Sequence, residues 1–158
     1  MSGKAAFDEA RRAALKYILF KKRTVYEVEK KLENSGFSED VISKVTAHYL
    51  ELKYLDDELY TEKFIEEWKR LKYESYNKLI VRLKKKGISE SIIYKCVDYS
   101  ETDELEKLEK CFVKKYGEVD GFDKQLLDDV QFSRKFYYFF SSRGFSFELI
   151  NRLLNPEA

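Results

Sequence analysis

The chain has 158 residues, of which 44% are hydrophobic and 37% are charged, and its formal net charge is +1. This composition, with only six glycines and one proline, argues against a disordered chain and against loop-rich β architectures. A net charge so close to zero does not by itself predict a nucleic-acid partner.

The first predicted elements come from three similar segments at residues 32–42, 83–93 and 140–150. Each segment has an apolar residue, three polar or small residues, a glycine, an apolar residue, a serine and, three residues later, an apolar pair ending in Ile. The glycines are Gly36, Gly87 and Gly144. Glycine adopts the left-handed conformation that ends a helix, and serine caps the next helix. Each segment therefore predicts a corner between two helices.

Helical periodicity extends on both sides of these corners, and a further helix is predicted before each pair, at residues 7–21, 57–71 and 103–116. The chain is thus predicted to be all-α, with three tandem three-helix repeats at residues 1–53, 54–100 and 101–158. One module alone would bury too little apolar surface. We therefore expect the repeats to stack into an elongated, curved array, with a longer connection near residues 117–121.

Three short motifs resemble the RecX family of recombinase regulators. They are Tyr54-Leu55-Asp56-Asp57-Glu58-Leu59-Tyr60, Lys85-Lys86-Gly87-Ile88 and Arg23-Thr24-Val25-Tyr26-Glu27-Val28. The resemblance spans residues 10–154 and departs from the family where Lys53 and Tyr73 replace common glycines. It implies a non-enzymatic protein that docks along a RecA-type recombinase filament on single-stranded DNA and limits its extension or activity.

Acidic pairs and thiols give little support for catalysis. Asp56 is predicted to cap the N-terminus of a helix, and Asp57 is predicted to lie in the first turn of that helix, so this pair has a structural explanation. Cys96, Cys111 and His48 provide too few ligands for a structural zinc site, and no phosphate-binding glycine motif occurs. We expect no catalytic residue, no cofactor and no metal.

Charge is distributed unevenly along the chain. Residues 69–86 contain eight bases and one acid, Glu74, whereas residues 101–129 contain ten acids and five bases. Lys78, Arg82 and Lys85 share one helix stripe, which we expect to be exposed. On the same helix we expect Leu79, Ile80 and Leu83 to be buried. The candidate residues for binding a partner or nucleic acid are Lys69, Arg70, Lys72, Lys78, Arg82, Lys85, Lys86, Arg134 and Arg143. The alternative is that these bases form only a solvated surface.

Residues 136–140 form an aromatic cluster that is predicted to lie mainly in the core, with one or two rings left exposed.

The expected partner is a RecA-type recombinase filament, and direct contact with single-stranded DNA remains open. Two alternatives are a helical-repeat adaptor unrelated to recombination and a direct nucleic-acid-binding protein. No apolar run is long enough to span a membrane. We therefore expect a soluble, cytoplasmic monomer without membrane contact.

Overall fold

The computed structural model describes residues 2–157, which form nine α-helices and two short 3₁₀ helices and contain no β-strand. The α-helices are α1 (Gly3–Phe20), α2 (Val25–Asn34), α3 (Glu39–Glu51), α4 (Asp57–Leu71), α5 (Tyr76–Lys85), α6 (Glu90–Cys96), α7 (Glu101–Tyr116), α8 (Val130–Ser141) and α9 (Phe147–Leu154). The predicted all-α class is confirmed. No helix among residues 2–157 has the length and apolar character needed to cross a bilayer.

The three predicted corners are confirmed by backbone geometry. Gly36, Gly87 and Gly144 have φ angles of +90°, +77° and +87°, so each ends its helix in the left-handed region. The serine after each glycine caps the next helix; for example, Ser146 Oγ accepts a hydrogen bond from the Leu149 N–H at 3.1 Å. Local sequence therefore determines where these helices stop and start.

Capping residues also determine where the other helices begin. Asp56 Oδ1 accepts the Leu59 N–H at 3.0 Å, as its predicted N-cap role requires. Helix α7 begins two residues earlier than predicted because Ser100 Oγ accepts the Asp103 N–H at 3.3 Å. The longer connection after α7 is also present, and the two 3₁₀ helices, Val119–Gly121 and Lys124–Asp128, lie within it.

Residue contacts divide the chain into two compact units. Unit 1 runs to Ile65 and also contains Leu83–Cys96, whereas unit 2 contains Glu66–Arg82 and the chain from Val97 onwards. Helices α4 and α5 contribute residues to both units. The repeat boundaries at residues 53/54 and 100/101 stay a prediction.

Each unit has its own apolar core. In unit 1 the fully buried residues include Leu32 and Tyr49, and the Tyr49 hydroxyl donates to the Arg11 carbonyl oxygen at 2.8 Å. In unit 2 the core is aromatic, with Phe112, Phe136 and Phe140 fully buried and their rings 5.1–6.0 Å apart. Stacked and edge-on rings at these separations add to the stability gained from burial.

A similar junction lies at the start of α2 in unit 1 and at the start of α5 in unit 2. In unit 1, Thr24 Oγ1 donates to the Lys86 carbonyl oxygen at 2.7 Å, and the next residue, Val25, donates its N–H to Asp57 at 2.9 Å. The cap of α2 is thereby tied to a later corner and to the start of α4. These contacts explain why residues 83–96 group with the first part of the chain.

The corresponding junction in unit 2 lies at the start of α5. The Ser75 N–H donates to the Arg143 carbonyl oxygen at 2.9 Å, and the Tyr76 N–H donates to Glu104 at 3.4 Å. As at the start of α2, groups at a helix start bind a later corner and a carboxylate of a later helix, here Glu104 of α7. Since a buried backbone donor without an acceptor is costly, these bonds stabilise the packing of the corner.

Candidate functional site

A groove in unit 2 brings together cationic side chains from distant parts of the sequence. Its volume is about 640 Å³, and it lies among the end of α4, the start of α5, α7 and the corner after α8. It is lined by Leu71, Lys72, Tyr73, Glu74, Lys78, Arg82, Cys111, Lys114, Lys115, Phe139, Ser142 and Arg143. We call it the basic groove, because six of these side chains are cationic and only one is a carboxylate.

Buried polar contacts hold the backbone of the groove in place. Lys107 Nζ donates to the Lys72 carbonyl oxygen at 2.9 Å and lies 3.9 Å from the centre of the Trp68 ring. Burial lowers the pKa of this ammonium group, and nearby Lys110 acts in the same direction. Together with the bond between Ser75 and Arg143, this contact attaches the segment after α4 to α7 and to the last corner.

Five of the cations in the basic groove have no ion pair with a carboxylate within residues 2–157. They are Lys72, Lys78, Lys114, Lys115 and Arg143. Because like charges repel each other in a confined groove, this arrangement is favourable only if water screens the repulsion or an anionic partner neutralises the charge. The groove is therefore suited to bind phosphates or carboxylates.

Arg82 differs from the other five cations. Its guanidinium group binds Glu74 through two hydrogen bonds of 2.5 and 2.9 Å, and the same carboxylate accepts the Trp68 indole N–H at 3.0 Å. Glu74 is buried, and its hydrogen bond raises the pKa of Arg82. Arg82 therefore compensates a buried charge, and it is only partly exposed on the stripe that was predicted to be exposed.

The other predictions for this stripe have mixed outcomes. Leu79 and Leu83 are fully buried as predicted, whereas Ile80 is only partly buried, and Lys85 is exposed. Lys78 is only partly exposed and lies in the basic groove. The prediction is therefore correct for Leu79 and Leu83 on the apolar side of α5. The three cations differ from one another: Arg82 is paired with Glu74, Lys78 lies in the basic groove and Lys85 is exposed.

The structure brings four of the nine candidate residues together in the basic groove, namely Lys72, Lys78, Arg82 and Arg143. Lys69, Arg70 and Arg134 are exposed in unit 2 outside the groove lining, and Lys85 and Lys86 belong to unit 1. Lys86 Nζ lies 3.6 Å from a carboxylate oxygen of Glu27. A role in binding stays a prediction for all nine.

Lys114 and Lys115 complete the basic groove from α7, although they were not among the nine residues predicted from the sequence. The acidic average of residues 101–129 conceals these two lysines. Within α7, however, the acids concentrate in the first turn and Lys114 and Lys115 lie in the last turn, where cations are favoured by the helix dipole. This separation of charge within one helix was the available signal.

Aromatic rings orient three of the cations. Lys114 Nζ lies 5.4 Å from the centre of the Tyr73 ring. The Arg143 guanidinium carbon lies 3.7 Å from the centre of the Phe139 ring, and its Nη1 donates to the Phe139 carbonyl oxygen at 2.8 Å. Lys115 Nζ lies 5.4 Å from the same ring centre. Cation–π contacts restrict these side chains without neutralising their charge. The groove therefore presents oriented positive charge.

The chemical groups in the groove favour binding over reaction. Its single thiol, Cys111, belongs to the core, and burial raises its pKa more than nearby Arg143 and Lys114 lower it. A buried thiol with a raised pKa is a poor nucleophile at neutral pH. In the described part of the chain, no group of three or more His, Cys, Asp or Glu side chains is placed to hold a metal ion.

The aromatic cluster of α8 is mostly core, as predicted. Phe136 and Phe140 are fully buried, whereas Tyr138 keeps 71% of its surface exposed. The Tyr137 hydroxyl donates to Asn151 Oδ1 at 3.0 Å. One ring of the cluster therefore remains available on the surface.

Comparison with known proteins identifies the family. Residues 10–48 match the family model described as RecX, first three-helix domain. The chain is 30% identical to Regulatory protein RecX of Clostridium botulinum strain Alaska E43 over 95% of this chain and 69% of that protein. The chain belongs to the RecX family. A second RecX relative, from Clostridium tetani, is 36% identical over 90% of this chain and 64% of its own length.

Solved structures of RecX proteins have the same fold. The crystal structure of RecX from Lactobacillus salivarius matches with a TM-score of 0.74, at 22% identity, over 97% of both chains. Another RecX crystal structure matches with a TM-score of 0.76, at 17% identity, over 96% of this chain and 72% of that one. The fold is therefore that of RecX regulatory proteins.

Proposed function

We propose that this RecX-family chain is a non-enzymatic regulator that binds a RecA-type recombinase filament on single-stranded DNA and limits its activity. The single observation that carries the proposal is the basic groove, in which five cations lack a carboxylate partner within residues 2–157. We infer that the protein acts in the cytoplasm, where its proposed partner would be found. We retain three three-helix repeats, at residues 1–53, 54–100 and 101–158, as the proposed modular organisation.

Charge complementarity supports an anionic target for the groove. A nucleoprotein filament offers phosphates and acidic side chains, and either would neutralise the lysines that line the groove. Contacts made by several repeats would add to the affinity, because each later contact is intramolecular once the first has formed. Binding would inhibit the recombinase if the bound filament state is less active than the free state.

The proposal is tested by reversing charge in the groove without disturbing Arg82. The groove variant is Lys78→Glu/Lys114→Glu/Lys115→Glu. Its control, Lys4→Glu/Lys63→Glu/Lys135→Glu, changes three exposed lysines outside the groove and alters the net charge equally. Co-sedimentation with preformed recombinase filaments measures binding, and the rate of ATP hydrolysis by the recombinase measures regulation.

We expect the groove variant to bind filaments at least about tenfold more weakly, since charge reversal removes attraction and adds repulsion. The control should bind like the parent, and binding by the parent should weaken with added salt. Equal binding by parent and groove variant would refute the role of the groove. Salt-dependent binding to single-stranded DNA alone, without an effect on ATP hydrolysis, would instead favour a direct nucleic-acid binder.

Four residues outside the groove lining, Lys69, Arg70, Lys85 and Arg134, are proposed as secondary contacts because they are exposed and unpaired by carboxylates within residues 2–157. Each single change to Ala should weaken filament binding less than the groove variant does. A loss as large as that of the groove variant would move the main interface to the residue concerned.

A further inference from the structure

Helix α1 ends in an exposed apolar and basic segment. Leu19 and Phe20 keep 73% and 85% of their surface exposed, and exposed Lys21 and Lys22 follow directly. Neither lysine has an ion pair within the described residues. We call these four residues the apolar tip. Two large apolar side chains exposed side by side are a feature of interaction surfaces.

Unit 1 also contains a groove of the opposite character. Its volume is about 670 Å³, which is within the range of pockets that bury small ligands. It is lined by Val25, Leu50, Lys53, Leu55, Asp56, Asp57, Glu58, Leu59, Glu62 and Ile92. We call it the acidic groove, because four of its side chains are carboxylates and one is a cation.

Part of this acidic charge is already compensated. Glu58 pairs with Lys95 at 2.9 Å, and Asp57 accepts the Val25 N–H at 2.9 Å. Exposed Glu62 has no ion pair within residues 2–157, and only one Asp56 oxygen is used, in capping α4. The acidic groove therefore retains negative charge beside apolar side chains. Its carboxylates are complementary to the lysines of the apolar tip, and its apolar side chains are complementary to Leu19 and Phe20.

We propose that two copies of this protein associate through a two-fold symmetric exchange, in which the apolar tip of each copy docks in the acidic groove of the other. Leu19 and Phe20 would cover the apolar side chains of the groove, and the two lysines would face its carboxylates. This inference is independent of the proposed recombinase partner, and it replaces the monomer expected from the sequence.

The tip does not occupy the groove of its own chain, because the Phe20 side chain is almost fully exposed. The connection after α1 is held by Arg23, whose Nε donates to the Tyr17 carbonyl oxygen at 3.3 Å and whose guanidinium carbon lies 3.8 Å from the Tyr17 ring centre. A short, anchored connection keeps the tip pointing away from its own core and leaves it available to another molecule.

The position of the two surfaces favours a closed dimer. Phe20 in the tip and Val25 in the groove are five residues apart, so their Cα atoms are separated by at most about 18 Å. When the tip of the first copy docks in the groove of the second, the tip of the second copy is brought near the groove of the first. The second contact is then intramolecular, which favours a self-complementary two-fold interface over an open chain.

Sedimentation velocity of the full chain, from about 5 to about 500 µM, tests the association directly. The tip variant is Lys21→Glu/Lys22→Glu, and the groove variant is Glu58→Lys/Glu62→Lys. A control, Glu66→Lys/Glu67→Lys, changes two exposed acids outside the acidic groove. Phe20→Ser removes the apolar contribution with little effect on folding, because this ring is exposed.

We expect the parent to form a species of twice its 18.9 kDa mass as concentration rises. Both charge variants and Phe20→Ser should raise the dissociation constant about tenfold or more. An equimolar mixture of tip and groove variants should dimerise again, since every tip then meets a groove of opposite charge in the mixed pair. The control should dimerise like the parent.

Several results would overturn the proposal. They are a parent that stays monomeric, a dimer unaffected by either charge variant, a mixture that does not recover, and a series of species larger than the dimer. Binding to vesicles of anionic phospholipid that depends on the tip, without self-association, would assign the tip to a membrane surface instead. Filament binding by the variants tests only the recombinase proposal, so the two ideas can fail separately.

Discussion

Alanine substitution at the three corner glycines separates backbone conformation from packing. All three glycines have positive φ, but an added Cβ would meet different neighbours. At Gly36 no heavy atom lies within 4 Å. At Gly87 the new Cβ would overlap Cβ and Cγ of Tyr26 and lie 2.7 Å from its Cδ1. Gly144 is intermediate, with the Lys78 backbone nitrogen at 3.0 Å.

The expected costs follow from these two effects. A left-handed conformation costs an L-residue about 1–2 kcal/mol. Replacing glycine with alanine also makes the unfolded chain less flexible, which stabilises the folded state by about 0.4–1 kcal/mol. Gly36→Ala should therefore lower the free energy of unfolding by about 1 kcal/mol. Gly87→Ala adds overpacking worth about 1–3 kcal/mol, so we expect a loss of about 3 kcal/mol. The loss for Gly144→Ala should lie between these values.

Thermal unfolding followed by circular dichroism provides the measurement. For a chain of this size, 1 kcal/mol changes Tm by about 2–4 °C, so Gly36→Ala should lower Tm by about 3 °C and Gly87→Ala by about 9 °C. Tyr26→Ala should rescue Gly87→Ala only in part, because alanine keeps the overlapping Cβ. Equal losses at Gly36 and Gly87 would show that the close approach of Tyr26 does not limit this corner.

Three further substitutions test individual packing and charge effects. Burial raises the pKa of Glu104, so the folded protein loses stability as pH rises and this carboxyl group ionises. Glu104→Gln should therefore raise Tm at pH 7 and lose this advantage near pH 4. A difference in Tm that stays unchanged across this pH range would contradict the reasoning. Arg82→Gln should lower the free energy of unfolding by about 2–3 kcal/mol in urea titrations, because buried Glu74 loses its cation, whereas a loss below about 0.5 kcal/mol would show that Glu74 is well hydrated. Phe136→Ala should cost about 3–5 kcal/mol and exposed Tyr138→Ala much less, and similar Tm values for the two variants would contradict the assigned core.

Local features of the fold could be predicted from the sequence because they depend on residues close in the chain. A helix that ends at Gly87 requires a residue tolerant of positive φ, and the next helix requires a cap such as Ser89. Apolar spacing along α5 likewise indicates that Leu79 and Leu83 face the core. These effects involve at most a few turns of helix, so single-sequence patterns contain them.

Contacts made by residues outside the same helix could not be predicted in the same way. Periodicity shows that Arg82 lies on the polar face of α5, but only the structure shows Glu74 buried beside it. The acidic average of residues 101–129 concealed Lys114 and Lys115, which face the basic groove once α7 is packed. The charge of a surface depends on which segments meet there, and sequence averages do not contain that information.

The three glycines show this division most clearly. The sequence by itself determined that Gly36, Gly87 and Gly144 end helices, because the left-handed backbone is a local requirement. Only the tertiary structure decided that Gly36 faces open space, that Gly87 lies against Tyr26 and that Gly144 lies against Lys78. Equivalent motifs acquire different steric limits because packing brings a different neighbouring segment to each corner.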